Sequence, residues 1–207
     1  MTHELSPKGD RRRTQIMDAA VKLFGEVGYR STSLRDIATR VGITHPGLLY
    51  HFNSKEDLLL AVLACRHEED LARFSMIGLP PATGLGRLLE LIAANAERRT
   101  IVELFTQLSA EATDPGHPAH DHFTRRYRDV VAGLTHNLEE IGREGHLREG
   151  IDPGCAARRL VALMDGLQVQ WLYDPSVDMH TVFARALDDL LTVPLADLVL
   201  SESARAA

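Results

Sequence analysis

Residues 33–57 read SLRDIATRVGITHPGLLYHFNSKED. Leu34, Ile37, Ala38 and Val41 recur at helical spacing and give one short helix an apolar face. Ser33 is a capping residue before it, and Gly42 can take the positive φ that ends it. Thr44 then caps a second short helix with Pro46 in its first turn, where a missing N–H costs nothing, and Leu48 and Phe52 on its inner face. Asn53-Ser54 breaks the chain, and Ser54 with Asp57 resembles a capping box for a longer helix bearing Leu58, Leu59, Val62 and Leu63. Two short helices joined by a glycine turn, with a third starting at once, have the layout of a helix-turn-helix DNA reader.

Outward from this stretch the pattern stays helical. Ile16, Ala19, Ala20, Leu23, Phe24 and Val27 predict a helix over about 12–27, stopped by Gly28. The polar residues before it predict a mobile arm, or one that lays Lys8, Arg11, Arg12 and Arg13 against DNA. Residues 77–86, rich in proline and glycine, predict a loop. Helices then follow around Leu85–Ile92, around Val102–Leu108, from Phe123 to near Gly145, from Asp152-Pro153 to Tyr173, and from Asp178 through Leu191. The expectation is an all-α fold of about nine helices: an arm at 1–11, a helix-turn-helix domain at 12–56, and a helical effector-binding and dimerisation domain at 57–207.

Composition narrows the class. Hydrophobic residues are 44% and charged residues 25% of 207, as in soluble globular chains. No apolar run approaches the roughly 18 residues of a membrane span, and no apolar core marks the N-terminus as a leader, so a cytoplasmic location with no membrane partner is expected. The net charge of −6 is unevenly spread. Residues 1–60 hold nine Lys/Arg against seven Asp/Glu, and 61–207 hold fourteen against twenty-two. A mildly basic head on an acidic body suits a protein that meets phosphates at one end. Cys65 and Cys155 lie outside any C-x-x-C motif and read as small buried hydrophobes. His117, His120 and His122 fall within six residues, a spacing that could hold zinc or nickel, but PGHPAHDH reads better as a solvated loop and helix start. No nucleophile–base spacing, nucleotide loop or carboxylate pair stands out, so neither enzyme chemistry nor a cofactor or metal is expected.

A helix offered to the major groove needs short polar residues at its start. Thr44, His45, Pro46 and Gly47 meet that need. Tyr50 and His51 at its far end suit phosphate contacts, and Lys55 lies in the next helix's first turn, where free N–H groups also attract phosphate. Arg35 and Arg40 are as well explained by surface ion pairs as by DNA.

Residues 12–62 resemble the DNA-binding domain of the tetracycline-repressor (TetR) family. The likeness is carried by Phe24-x-x-x-Gly28, Thr32-Ser33-x-x-Asp36-Ile37-Ala38, Val41-Gly42-Ile43-Thr44 and Phe52-x-Ser54-Lys55-Glu56-x-Leu58. It implies DNA contacts from Thr32, Ser33, Thr44, His45, Pro46, Gly47, Leu49, Tyr50, His51 and Lys55. One departure stands out. The family commonly has Thr-Leu-Tyr where this chain has Gly47-Leu48-Leu49, and the tyrosine here comes one place later, at Tyr50. The resemblance also implies a homodimer on a near-palindromic double-stranded operator, released by a small-molecule effector. Phe105, Leu108, Glu111, Tyr127, Met164, Gln168 and Trp171 are candidates for the effector pocket, although plain core explains each one alone. Leu160, Leu163, Leu167, Phe183, Leu187 and Leu190 are candidates for the dimer interface or the core. A helical dimerisation or adaptor protein without DNA function is the alternative.

Overall fold

The computed structural model describes residues 7–74 and 76–206. Among them are ten helices: α1 Pro7–Val27, α2 Leu34–Val41, α3 His45–Leu49, α4 Lys55–Phe74, α5 Pro81–Ala96, α6 Arg99–Glu111, α7 His120–Arg143, α8 Pro153–Tyr173, α9 Met179–Asp188 and α10 Leu195–Ala206. The only pairing of extended backbone among these residues is an isolated bridge between Leu147 and Leu191.

The chain forms two compact units: residues 1–68 with 100–123, and residues 69–99 with 124–207. These divisions differ from the sequence segments at 12–56 and 57–207. In the first unit Ile16, Phe24, Ile37, Leu48, Phe52, Leu58 and Leu59 form one core with Leu104 and Leu108 of α6. Gly25 permits that packing, because a Cβ there would sit 3.0 Å from the Leu104 backbone nitrogen. Helices α1, α2 and α3 alone bury little surface, and α6 supplies a further apolar wall.

In the second unit α5, α8, α9 and the body of α7 enclose Leu85, Leu88, Ile92, Leu134, Leu138, Leu160, Leu167, Trp171, Phe183 and Leu187. Asp152 caps α8 by accepting from the Cys155 N–H at 2.6 Å, and Asp178 caps α9 by accepting from Thr181 at 2.9 Å.

Several expectations are corrected. The tenth helix, α10, follows Pro194, and α9 stops at Asp188 instead of continuing through Leu191. Helix α1 begins at Pro7, so the second half of the expected arm is helical; residues 1–6 lie outside the described residues. The expected loop at 77–86 is short. Pro80 and Pro81 start α5, and Gly84 and Gly86 lie inside it. The physical reason is a distant cap: Glu202 of α10 accepts from the Ala82 and Thr83 N–H groups at 2.8 and 2.7 Å. Cys155 is exposed in the first turn of α8, and Cys65 is half-buried, so neither is a plain core residue.

Candidate nucleic-acid interface

The turn between α2 and α3 forms as its residues dictate. Ser33 accepts from the Asp36 N–H at 3.2 Å and Asp36 accepts from the Ser33 N–H at 2.9 Å, a complete capping box. The Ser33 hydroxyl, donating to the exposed Asp36 carboxylate at 2.6 Å, and then the Ser33 N–H hold that carboxyl below the usual range. Gly42 takes φ +72°, the left-handed conformation that closes α2. Thr44 caps α3 by accepting from the Gly47 N–H at 3.2 Å. A Cβ on Gly47 would itself lie 3.2 Å from the Thr44 hydroxyl oxygen, so the glycine leaves room for the cap.

Helix α3 has two faces. Leu48 is fully buried and Phe52, just beyond it, is 1% exposed. Thr44 and Pro46 face solvent, His45 and Gly47 are half-buried, Leu49 is 37% exposed and Tyr50 is 73% exposed. A tyrosine that open at the end of a well-packed helix is available to a partner. His51 stacks edge-on against it with ring centres 5.3 Å apart. Burial, with Arg13 and Arg12 nearby, holds the His51 imidazole pKa low.

Two residues assigned to DNA by the sequence, the buried Thr32 and the half-buried Lys55, make hydrogen bonds within the protein. Thr32 is 3% exposed, and its hydroxyl donates to the Gly28 carbonyl at 2.9 Å and the Leu23 carbonyl at 3.3 Å. Its side chain fastens the α1–α2 turn. The Lys55 ammonium donates to the Tyr29 and Thr32 carbonyls, both at 2.9 Å, and lies 4.3 Å from the centre of the Tyr29 ring. Burial lowers its pKa, and Glu111 partly offsets that. Arg40 pairs with Glu26 at 3.2 Å, whereas Arg35 is exposed on α2.

The three histidines do not converge on a metal, and no cluster of three potential ligands occurs among the described residues. The segment is the loop and helix start that its residues imply, with Pro115, Gly116 and Asp121 exposed, but His117 and Ala119 are buried. His117 is 4% exposed and packs edge-on against Tyr29, with ring centres 4.9 Å apart. Its Nδ1 accepts from the Ala119 N–H at 3.1 Å, and its Nε2 is 3.5 Å from a Glu111 oxygen. His120 Nδ1 lies 2.8 Å from the Ala112 carbonyl oxygen. His122 stacks against Phe123. The apolar wall made by α6 draws this segment inward.

The effector candidates divide between the two units. In the first, Leu108 is fully buried core, Phe105 stacks on Phe123 with ring centres 6.0 Å apart, and Glu111 accepts from the Arg30 N–H at 3.4 Å. In the second, the Tyr127 hydroxyl donates to Asp165 at 2.9 Å, and burial raises the Asp165 pKa. Trp171 is 7% exposed, with the Arg99 guanidinium 5.6 Å from its ring centre. Met164 and Gln168 line a closed, mostly apolar seam with Ile92, Asn95, Leu167 and Met179.

Five of the six interface candidates, Leu160, Leu167, Phe183, Leu187 and Leu190, are buried within the chain itself, and Leu163 is half-buried. The sequence reading named Leu163 but not the rest of the open stripe it belongs to. On α8, Ala162, Leu163, Gly166, Val169 and Tyr173 recur at helical spacing and are exposed or half-buried. A Cβ on Gly166 would meet nothing within 4 Å. On α9, Val182 is 42% exposed. The spacing 162, 166, 169, 173 was there to be read, but without knowing the inner face the outer one has no contrast.

Comparison with known proteins settles the family. Residues 16–62 match the model of bacterial regulatory proteins of the tetR family, and residues 82–192 match the C-terminal domain of BetI-type transcriptional repressors. The chain belongs to the TetR family. It is 32% identical over 189 residues to the HTH-type transcriptional regulator TtgR of Pseudomonas putida, covering 86% of this chain and 89% of that one. It is 31% identical over 154 residues to the HTH-type transcriptional repressor KstR2 of Rhodococcus jostii, covering 69% and 67%. Among solved structures, Salmonella enterica GusR aligns over 92% of this chain and 99% of its own, with a TM-score of 0.67 and 25% identity. The SmeT–triclosan complex aligns over 86% and 88%, with a TM-score of 0.66 and 24% identity. This TetR-family chain is therefore a helix-turn-helix transcriptional regulator with a C-terminal domain of the BetI repressor type, in a family of DNA-binding regulators and not of enzymes. No described helix is long and apolar enough to cross a membrane.

Proposed function

We propose that the chain is a cytoplasmic, dimeric repressor that reads a near-palindromic operator with α3 and leaves it when a small molecule binds the second unit. The observation that carries this reading is the two-faced α3, with Leu48 locked in the core, Thr44 and Pro46 open at its start and Tyr50 held out at its end. The DNA contacts proposed are Ser33, Thr44, His45, Pro46, Gly47, Leu49, Tyr50 and His51. Thr32 and Lys55 support them from behind.

Dimerisation is assigned to the open stripe on α8, with Val182 of α9 beside it. Small residues and a bare glycine let two helices approach closely, and Val169 and Tyr173 supply the apolar area. A two-fold dimer presents two α3 helices to successive major grooves, about 34 Å apart.

The effector is assigned to the seam around Met164 and Gln168, where the amides of Asn95 and Gln168 stand among apolar side chains. That lining leaves no room for even a water-sized group, against the roughly 300 Å³ of a drug-sized site. Binding therefore has to part the helices, and that movement is the proposed signal. SmeT, a protein of like fold, binds triclosan. The proposed effector class here is a compact apolar molecule with one hydrogen-bonding group. Binding, without turnover, is the proposed mode of action.

Selection from random duplex DNA, with sedimentation of the selected complex, tests the reading. An enriched inverted repeat bound by an even number of chains is expected. Absence of any enriched sequence would favour a helical adaptor without DNA function.

A further inference from the structure

We infer that Arg13 is a positioning residue that sets the end of the recognition helix and hence the pose of Tyr50, and is not one of the arm's phosphate contacts. The inference rests on the reading of α3 as the DNA reader.

Helix α3 spans five residues, too few to hold itself together. Its start is fixed by Thr44 and its middle by the buried Leu48. Beyond Leu49 the backbone tightens: the His51 and Phe52 N–H groups both donate to the Leu48 carbonyl, at 2.9 and 3.1 Å. The carbonyls of this last turn have no next turn to accept from. Arg13 answers that lack from α1. Its Nη1 donates to the His51 carbonyl at 2.8 Å, across 38 residues of sequence. Its guanidinium carbon lies 4.0 Å from the centre of the Phe52 ring, over a side chain that is itself buried. One planar cation therefore holds the two residues that follow Tyr50. Tyr50 sits between the Leu48 anchor and this clamp, and its ring leans edge-on against His51. Removing Arg13 frees the end of α3 while Leu48 keeps its beginning in place.

The test measures binding of the full chain to its selected operator and to a scrambled duplex over a salt series, for wild type, Arg13→Ala, Arg13→Gln and Arg13→Lys. Arg13→Ala is expected to weaken operator binding by about tenfold, as loss of one charge-assisted hydrogen bond allows. Binding to scrambled DNA and the slope of log affinity against log salt are expected to stay as in wild type. Arg13→Lys, which can still donate to the carbonyl and lie over the ring, is expected to recover most of the loss, and it carries the comparison if Arg13→Ala does not fold. Arg13→Gln, which keeps a neutral donor, is expected to fall between them.

Equal losses on both duplexes, with the salt slope lowered by about one, would instead make Arg13 a phosphate contact. Unchanged operator binding would remove Arg13 from the interface. If wild type itself enriches no sequence, the reading of α3 fails before any variant is made.

Discussion

Lys55 donates to the carbonyl of Tyr29 at 2.9 Å while its ammonium lies 4.3 Å from the centre of that residue's ring. The start of α4 thus grips the α1–α2 turn, and the lysine does its work inside the protein. Lys55→Ala leaves the Tyr29 and Thr32 carbonyls without their cationic donor. A loss of about 2 kcal/mol of stability is expected from groups of this kind, read by urea unfolding. Wild-type stability in that variant would return Lys55 to the surface.

Gly28 ends α1 at φ +85°, where a side chain is strained, and a Cβ there would overlap the Glu111 carboxylate. Gly28→Ala is expected to cost about 1–2 kcal/mol from backbone strain alone. Adding Glu111→Ala should recover only the part due to the overlap. A double-mutant cycle separates the two, and a fully recovered double variant would show that the turn tolerates alanine.

Acid stability follows from two imidazoles. Burial lowers the pKa of His51 and His117 in the folded chain below the ordinary 6.5. The unfolded chain therefore binds more protons as pH falls through about 6.5, and folding loses stability from there down to the folded values. His117→Gln is expected to flatten part of that decline in urea midpoints between pH 7 and 5. Asp36 has the same sign in a lower pH range. Its pKa is depressed by Ser33, so its contribution is present above the ordinary 3.8 and is lost as pH falls through the lower folded value. Ser33→Ala should thus destabilise at neutral pH, and the gap from wild type should close at low pH.

Glu202 caps α5 from α10, accepting two backbone N–H groups and the Thr83 hydroxyl at 2.7 Å. Glu202→Ala is expected to cost about 1–2 kcal/mol, as lost helix caps do. Hydrogen exchange should quicken at Ala82 and Thr83. Unchanged protection there would show that the cap is dispensable.

What the sequence disclosed was local. Ser33, Gly42 and Thr44 act within four residues of themselves, and the structure holds the cap and turn that their identities imply. What stayed hidden was long-range. Nothing near Pro80 says that a glutamate 120 residues away will start a helix there. The prolines and glycines of 77–86 therefore read as a loop. Lys55 lay in a motif that placed it on DNA, and only folding brings the Tyr29 and Thr32 carbonyls beneath its ammonium. His117 read as solvated because the prolines and glycine beside it form a turn, yet its neighbour in space is Tyr29. The inner and outer faces of α8 are both apolar, so periodicity alone could not tell core leucines from an open stripe.

The most direct measurement compares the sequences enriched from random duplex DNA by wild type, His45→Ala and Tyr50→Ala. Wild type is expected to enrich an inverted repeat. The two variants are expected to keep the wild-type melting temperature while changing base preference or affinity at matching positions of both half-sites. The same motif, enriched to the same degree by all three proteins, would contradict α3 as the surface that reads DNA.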